Sequence, residues 1–416
     1  MAHSTKPASK FNKGPIVSSR MRKLFSGLPH SSSPVPTLET SEYKHTTVLL
    51  SPIKAAKSQP WKGLTTTLLH SSELKLDDFV EMSMINTSPL GNVKKVLHAP
   101  SLGMYAIRVV ALSSRETRIA LVDWLKKWEA AQDEVAGLAG VRATYWNQPE
   151  GYVSAVLEYM DSGCLQSLVD SVGAVPEGLL QGLARQMCES VRALHVRGVV
   201  HGSICPTQVL LARNGTCKLD LAIKSHLGVK TTFSTLFQHL GKGLDFTREE
   251  DVFDLGATLL TCAMGGTEWL DLLPQTMPVQ CCLLHTLLEY RLAPLLDRLS
   301  GAFKAFLCVC LRSNAKRRIR AEELLEQDWF HHVPSTIQVS LAEVLGVSFL
   351  WVAPSEYQNA AERQLDRICE KLKIVLMTSV PVLKSLAPVQ ELALDLGLDV
   401  STVQRKLHEI FQILSP

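Results

Sequence analysis

The order of apolar and polar residues predicts a β-rich segment followed by a helical one. Four short apolar runs, with Gly, Pro or polar residues at their joins, have the composition of β-strands: Phe79–Met84, Asn92–Leu97, Met104–Val110 and Tyr152–Tyr159. Before the fourth run, residues 115–138 carry apolar side chains at helical spacing, which predicts a helix of about five turns.

Helical spacing dominates beyond Asp161-Ser162-Gly163. It predicts helices at about 164–172, 175–197, 250–264, 284–299 and 301–311. Two short apolar strands interrupt them, Val209–Leu211 and Cys217–Leu221, and the turn between these strands is Asn214-Gly215. The sequence therefore predicts an α+β fold.

Composition narrows the class of protein. The chain has 416 residues, 46% of them hydrophobic, enough for about two domains with tails. Its 43 basic and 40 acidic residues leave a net charge of +3, which favours neither nucleic acid nor a membrane surface as a partner. The ten cysteines lie mostly in apolar contexts without a metal-binding spacing, which suits buried thiols in a reducing compartment.

The first 75 residues differ from the rest, and we assign them to a disordered basic and Ser-rich region. Residues 1–38 contain six Lys and Arg and no Asp or Glu, and residues 39–75 are rich in Ser, Thr and Pro. An acid-free basic N-terminus is also typical of a mitochondrial transit peptide. We favour the disordered tail and a cytoplasmic location, with mitochondrial import as the alternative.

Four motifs, in order, resemble those of protein kinases. Ala106-Ile107-Arg108 resembles the A-I-K of the third kinase strand, and Glu129 falls where the glutamate partner of that lysine belongs. The segment from Glu158 to Leu165 is similar to the hinge of MAP-kinase kinases. Asp251–Gly256 and Arg318–Phe330 resemble an anchoring helix and the closing helix of the second lobe. The resemblance implies a two-lobed kinase-like domain over 76–332, with a β-rich N-terminal and a helical C-terminal lobe.

The catalytic loop departs from the kinase pattern. His201–Gln208 aligns with H-R-D-x-x-x-x-N, and four uncharged residues replace the functional ones: Ser203 the catalytic aspartate, Cys205 the lysine, Gln208 the asparagine and Leu221 the D-F-G aspartate. Phosphoryl transfer depends on charges that position and neutralise the transferred group. We therefore predict no catalytic residues and no metal site. Asp220 could replace Leu221 by a one-residue slip, but we favour a solvated or loop-bonded Asp220.

The expected nucleotide pocket is also altered. The Gly-rich loop, Asn86–Val93, keeps one of its three glycines. Arg108 replaces the lysine, and we favour an ion pair with Glu129 over a nucleotide contact. An apolar wall remains, which a filled core would equally need; its residues are Val93, Ala106, Leu157 and Leu210. We predict a vestigial pocket without ATP or magnesium. Arg318, whose family partner is the glutamate of an absent A-P-E triplet, needs another partner.

Residues 333–416 form a predicted helical extension outside the kinase pattern. Helical spacing appears at about 337–350, 355–377, 388–396 and 400–413. Val389–His408 has the spacing of a helix-turn-helix. We favour a partner-binding appendage over a DNA-binding one, because no basic field accompanies the motif.

Together these features predict a catalytically inactive kinase-like protein, a pseudokinase that is not an enzyme and acts as a scaffold or allosteric regulator. The expected partners are proteins, such as a kinase of a signalling cascade, rather than membranes or nucleic acid. One alternative is a divergent serine/threonine kinase that still binds ATP and transfers phosphate. A second alternative is a DNA-binding regulator that uses the C-terminal helix-turn-helix.

Overall fold

The computed structural model describes most of the kinase-like region and the C-terminal helices. Its described residues are 65–69, 74–88, 91–112, 114–147, 151–223, 247–267, 297–312, 314–331, 355–377 and 386–414. The basic segment 1–38, the helical stretch 337–350 and most of the helix expected at 284–299 lie outside them.

An antiparallel sheet of six strands forms the N-terminal lobe, in the order β1-β5-β6-β4-β3-β2. The strands are β1 (Thr65–Leu69), β2 (Phe79–Ser88), β3 (Gly91–His98), β4 (Gly103–Ala111), β5 (Val141–Asn147) and β6 (Tyr152–Glu158). The four strands predicted in this lobe are confirmed. The sequence did not predict β5, nor β1, which lies within the Thr-rich stretch assigned to the linker.

Helix α1 (Arg115–Gln132) packs on this sheet. Ser114 caps it by accepting the Thr117 N–H at 3.2 Å, which satisfies one of the free amides of the first turn. Its apolar stripe is buried in the main core through Leu121, Trp124, Leu125 and Trp128. The helix predicted at 115–138 is thus confirmed, with an end six residues earlier.

The C-terminal lobe is helical, as expected. It contains α2 (Leu165–Val172), α3 (Glu177–Val196), the hairpin β7 (Val209–Leu211) and β8 (Cys217–Leu219), α4 (Arg248–Met264) and α5 (Gly301–Cys310). Gly215 turns the hairpin with a φ of 84°, a conformation that favours glycine. Fourteen of the residues of α4 are buried, so this helix forms the centre of the lobe.

Three further helices follow: α6 (Ser355–Leu376), α7 (Ala387–Leu396) and α8 (Val400–Leu414). Gly397 ends α7 in the left-handed conformation, with a φ of 69°. The helices share a second apolar core with the N-terminal sheet. Within the described part of the chain, no helix is long and apolar enough to cross a membrane.

Candidate functional site

Asp251 of α4 holds the loop that begins at His201. Its two carboxylate oxygens accept the backbone N–H groups of His201 at 2.8 Å and Gly202 at 2.7 Å. The same carboxylate accepts a hydrogen bond from His195 Nε2 at 2.8 Å, at the end of α3. All these groups are buried, so the bonds act in a medium of low dielectric constant. The loop conformation is therefore built into the core of the C-terminal lobe.

The His201 ring connects this loop to the end of β8. Its Nε2 donates to the Asp220 carbonyl oxygen at 2.9 Å, and its Nδ1 accepts the Ser203 N–H at 3.3 Å. Burial lowers the pKa of His201, although the Asp251 carboxylate opposes the shift. The ring also packs against Trp128 of α1, with 5.8 Å between ring centroids. His201 is thus a structural link between loop, hairpin and α1.

Arg108 and Asp220 form an ion pair across the cleft between the two lobes. A second N–H group of Arg108 donates to the Leu221 carbonyl oxygen at 2.8 Å. Asp220 also accepts the Leu221 N–H at 2.7 Å and is 4% exposed. Of the two expected states, solvated or loop-bonded, Asp220 is loop-bonded and not solvated, and it also pairs with Arg108. Asp220 lies beyond the last residue of β8, so strand alternation does not set its direction, and the carboxylate points into the cleft.

Glu129 is not the ion-pair partner of Arg108, which corrects a second expectation. It lies near the C-terminal end of α1 and lines a cavity of about 700 Å³ with Tyr105, Arg142 and Glu158. Helical position alone suggested the pairing, but the close carboxylate comes from the C-terminal lobe. Glu158, in the hinge-like segment, instead accepts two hydrogen bonds of 2.8 Å from Lys218 of β8.

The remaining replaced positions surround the same loop. Ser203 and Cys205 are buried, and burial raises the pKa of the Cys205 thiol to about 11, so it remains protonated. Leu221 is fully buried. Gln208 differs from the others, because its Oε1 atom is buried and has no hydrogen-bond partner. A buried carbonyl oxygen without a donor is costly unless something else occupies it.

Gln208 and Asp220 face each other across the hairpin. They continue the register that pairs Val209 with Leu219, and the Asp220 N–H donates to the Gln208 carbonyl oxygen at 2.8 Å. The backbone therefore places the residue with the unpartnered Oε1 atom directly beside Asp220.

Four residues of the expected pocket share one face of the N-terminal sheet: Val93, Ala106, Arg108 and Leu157. The register pairs Val93 with Arg108, and Ala106 with both Lys95 and Leu157, so these side chains share one face of the sheet. Ala106 and Leu157 are buried, whereas Val93 and Arg108 are partly exposed. Leu210 lies in β7 on the opposite lobe.

Arg318 has an acidic partner within the C-terminal lobe. It pairs with Glu250 at 2.6 Å, and its guanidinium carbon lies 4.7 Å from the centroid of the Phe253 ring. Glu250 directly precedes Asp251, so the glutamate comes from the start of α4. The signal in the sequence is the Glu249-Glu250 pair directly before the motif that begins at Asp251.

The resemblance to kinases implies a magnesium-bound nucleotide as the ligand of this cleft. Magnesium prefers oxygen ligands and keeps several waters, so one carboxylate and one amide oxygen are a sufficient protein contribution. Asp220 and the unpartnered Gln208 Oε1 provide these atoms, and Arg108 provides a cation for phosphate. The described residues contain no group of three or more His, Cys, Asp or Glu side chains placed to hold a metal. The donor set fits a metal carried in by a nucleotide.

The two lobes, the hinge-like strand end and the loop anchored on Asp251 define a protein of the kinase class. The profile of the family described as "Protein kinase domain" matches residues 82–330, and the chain belongs to this family. Mitogen-activated protein kinase kinase 2 of Arabidopsis thaliana is 25% identical over 296 residues, covering 68% of this chain and 77% of the relative. Mitogen-activated protein kinase kinase 1 of the same plant is 24% identical over 278 residues, covering 61% and 75%. Cell division control protein 7 of Schizosaccharomyces pombe is 27% identical over 186 residues, covering 42% and 16%.

These comparisons overturn the prediction that the chain is not an enzyme. Family membership and relatives named as kinases point to a protein kinase. The prediction weighed Asp220 as a one-residue replacement for Leu221 but did not favour it. It did not foresee that the Asp220 carboxylate meets the cation of Arg108 in the cleft.

Proposed function

We propose that this chain is a divergent serine/threonine protein kinase that binds magnesium and ATP between its lobes and transfers phosphate to a protein. The observation that carries the proposal is the Arg108–Asp220 pair together with Gln208, which is bonded to Asp220 through the backbone and has a buried side-chain oxygen, Oε1, without a hydrogen-bond partner. It gathers a cation, a carboxylate and a neutral oxygen, which are the groups that hold a magnesium nucleotide in this class. The resemblance to MAP-kinase kinases supports a substrate within a signalling cascade.

Arg108 would hold the phosphates while remaining paired with Asp220. An arginine has five N–H donors, and Asp220 and the Leu221 carbonyl oxygen engage two of them. Asp220 and Gln208 would hold magnesium, which neutralises charge on the phosphate oxygens when it is bound. Because the guanidinium is broad and planar, we expect weaker phosphate binding than a lysine at this position gives.

Ser203 cannot accept the substrate proton as a carboxylate does. General-base catalysis typically contributes about 10²–10⁴-fold to a rate, so transfer should be slower by about that factor. Positioning and charge stabilisation supply most of the remaining acceleration in phosphoryl transfer. We therefore expect this chain to be a slow enzyme.

The test is transfer of radiolabelled phosphate from ATP by the full chain to itself or to a generic protein substrate. We expect magnesium-dependent incorporation that Asp220→Asn and Arg108→Met both abolish. Asp366→Asn is the control, because Asp366 forms a solvent-accessible pair with Lys406 between α6 and α8. Incorporation by the wild type no greater than that by Asp220→Asn would contradict the proposal.

A second role, as a scaffold or allosteric partner of another kinase in the cytoplasm, is compatible with this activity. It is supported by the Asp251 and Arg318 networks, which fix the C-terminal lobe through the protein's own contacts. Affinity purification of the wild type and Asp220→Asn tests it: we expect both to recover the same protein kinase. If Asp220→Asn fails to recover the partner kinase, the contact depends on catalytic activity and not on a scaffold role.

A further inference from the structure

The C-terminal helices cover the same face of the sheet that carries the apolar wall. Along β3, Val93, Lys95 and Leu97 alternate with residues of the opposite face, because strand side chains have a period of two. Leu97 faces Met104 in the register, and both contact the C-terminal core. The helices therefore pack beside the cleft, at the hinge end of β3 and β4, and not on the outer face of the lobe.

This contact is extensive and apolar. Leu372 and Leu392 are fully buried in it, as are Leu97 of β3 and Leu102 of the turn between β3 and β4. Each buried leucine contributes about 1.5–3 kcal/mol. A polar contact adds to it, since Lys371 of α6 donates to the Glu81 carbonyl oxygen at 3.2 Å. The appendage is thus an integral part of the N-terminal lobe.

Lys95 joins three parts of the chain at this interface. Its ammonium group pairs with Asp395, near the end of α7, and lies 4.6 Å from the centroid of the Tyr159 ring. Tyr159 follows β6 directly, within the segment that resembles a kinase hinge. Burial raises the pKa of Tyr159, and the Asp395 carboxylate adds to the shift. Strand β3, hinge and α7 therefore meet at one point.

The buried charge of Lys95 depends on the position of its partner helix, α7. The Lys95 side chain is 7% exposed, and its neighbours on the ladder include the apolar Ala106. A buried ammonium that loses its carboxylate is costly, because the desolvation of the charge is no longer compensated. Movement of α7 away from the hinge would leave the Lys95 ammonium buried without its carboxylate. The position of α7 and the conformation of the hinge are therefore coupled.

We propose that α6–α8 act as an intramolecular latch, which holds the hinge end of the cleft closed through Asp395, Lys95 and Tyr159 and limits entry of nucleotide. The second half of this inference rests on the proposed nucleotide binding. Release of α7 would free the hinge and let nucleotide enter more easily. A ligand that binds the released helices would then activate the kinase.

The test compares hydrogen exchange and Mg·ADP affinity in the full chain for Asp395→Asn and for Asp366→Asn. Both substitutions remove a carboxylate that pairs with a lysine, but the Asp366 pair is more exposed and joins α6 to α8, whereas the Asp395 pair joins α7 to β3. We expect Asp395→Asn to raise amide exchange around Tyr159 and to tighten Mg·ADP binding by about tenfold, with Asp366→Asn unchanged. Equal exchange at the hinge in the two variants would overturn the latch.

A second variant covers the case in which Asp395→Asn does not fold. Lys95→Met removes the buried charge together with its need for a partner, so we expect a stable chain with the same faster exchange around Tyr159. Exchange at the wild-type rate in this variant would also overturn the latch. If hinge exchange rises but no variant binds Mg·ADP, the latch stands and the proposed nucleotide function fails.

Discussion

Arg108 on β4 and Asp220 beyond β8 are 112 residues apart and pair across the interlobe cleft. The pair connects the sheet of one lobe to the hairpin of the other. It also places a positive and a negative charge at a site where uncharged residues replace four functional residues of the kinase family: Ser203, Cys205, Gln208 and Leu221. The contact between the two lobes and the proposed phosphoryl transfer therefore depend on the same two side chains.

Removal of the carboxylate should destabilise the chain strongly. Asp220→Asn leaves Arg108, whose side chain is 18% exposed, without its partner, and we expect a loss of about 3 kcal/mol in the free energy of unfolding. Urea denaturation measures it. The control is Glu370→Gln, which breaks an exposed pair with Lys373 and should cost about 0.5 kcal/mol or less. Similar losses in the two variants would show that the cleft pair is not a buried interaction.

Gln208 should show a trade-off between stability and binding. Gln208→Leu removes the buried Oε1 atom that has no donor, so the ligand-free chain should gain about 1 kcal/mol in urea denaturation. The same change should weaken magnesium-dependent binding of ADP, because an oxygen ligand is lost. A variant that loses stability would mean that the amide has a structural role.

The neutral His201 ring predicts a loss of stability in mild acid. Its pKa is below the ordinary value of 6.5, so the unfolded chain binds more protons as the pH falls below that value. Protonation of Nδ1 would also break the bond from the Ser203 N–H. Between about pH 7 and pH 5, the Tm of the wild type should fall more steeply than that of His201→Gln. Parallel curves would contradict a buried neutral ring.

Two helical glycines should respond in opposite directions to alanine. A Cβ atom at Gly256, in the centre of α4, would lie 2.6 Å from Cys310 Cβ, so Gly256→Ala should cost about 1–3 kcal/mol. At Gly182 in α3 a Cβ meets nothing within 4 Å, and Gly182→Ala should stabilise by up to about 1 kcal/mol. Thermal unfolding of both variants checks the pair. Equal effects would place Gly256 outside the tight contact between α4 and α5.

The sequence predicted elements and motif positions well because those signals are local. Apolar spacing located α3 and α4, and the motif containing Asp251 located the anchor of the loop. The sequence did not predict the features that depend on contacts between distant parts of the chain. The partner of Arg108 comes from another lobe, and that of Lys95 from α7. Strand β1 was missed because Thr-rich sequence is shared by linkers and edge strands, and pairing with β5 decides its structure.

The most direct test of the proposed kinase site is calorimetric titration of the full chain with ADP, in magnesium and in EDTA. We expect binding in magnesium that EDTA weakens at least about tenfold, because Asp220 and Gln208 contact the nucleotide through the metal. Asp220→Asn should bind equally weakly in both buffers, and Asp366→Asn should match the wild type. No binding by the wild type, or binding of equal strength with and without magnesium, would contradict the assignment of this cleft as a nucleotide site.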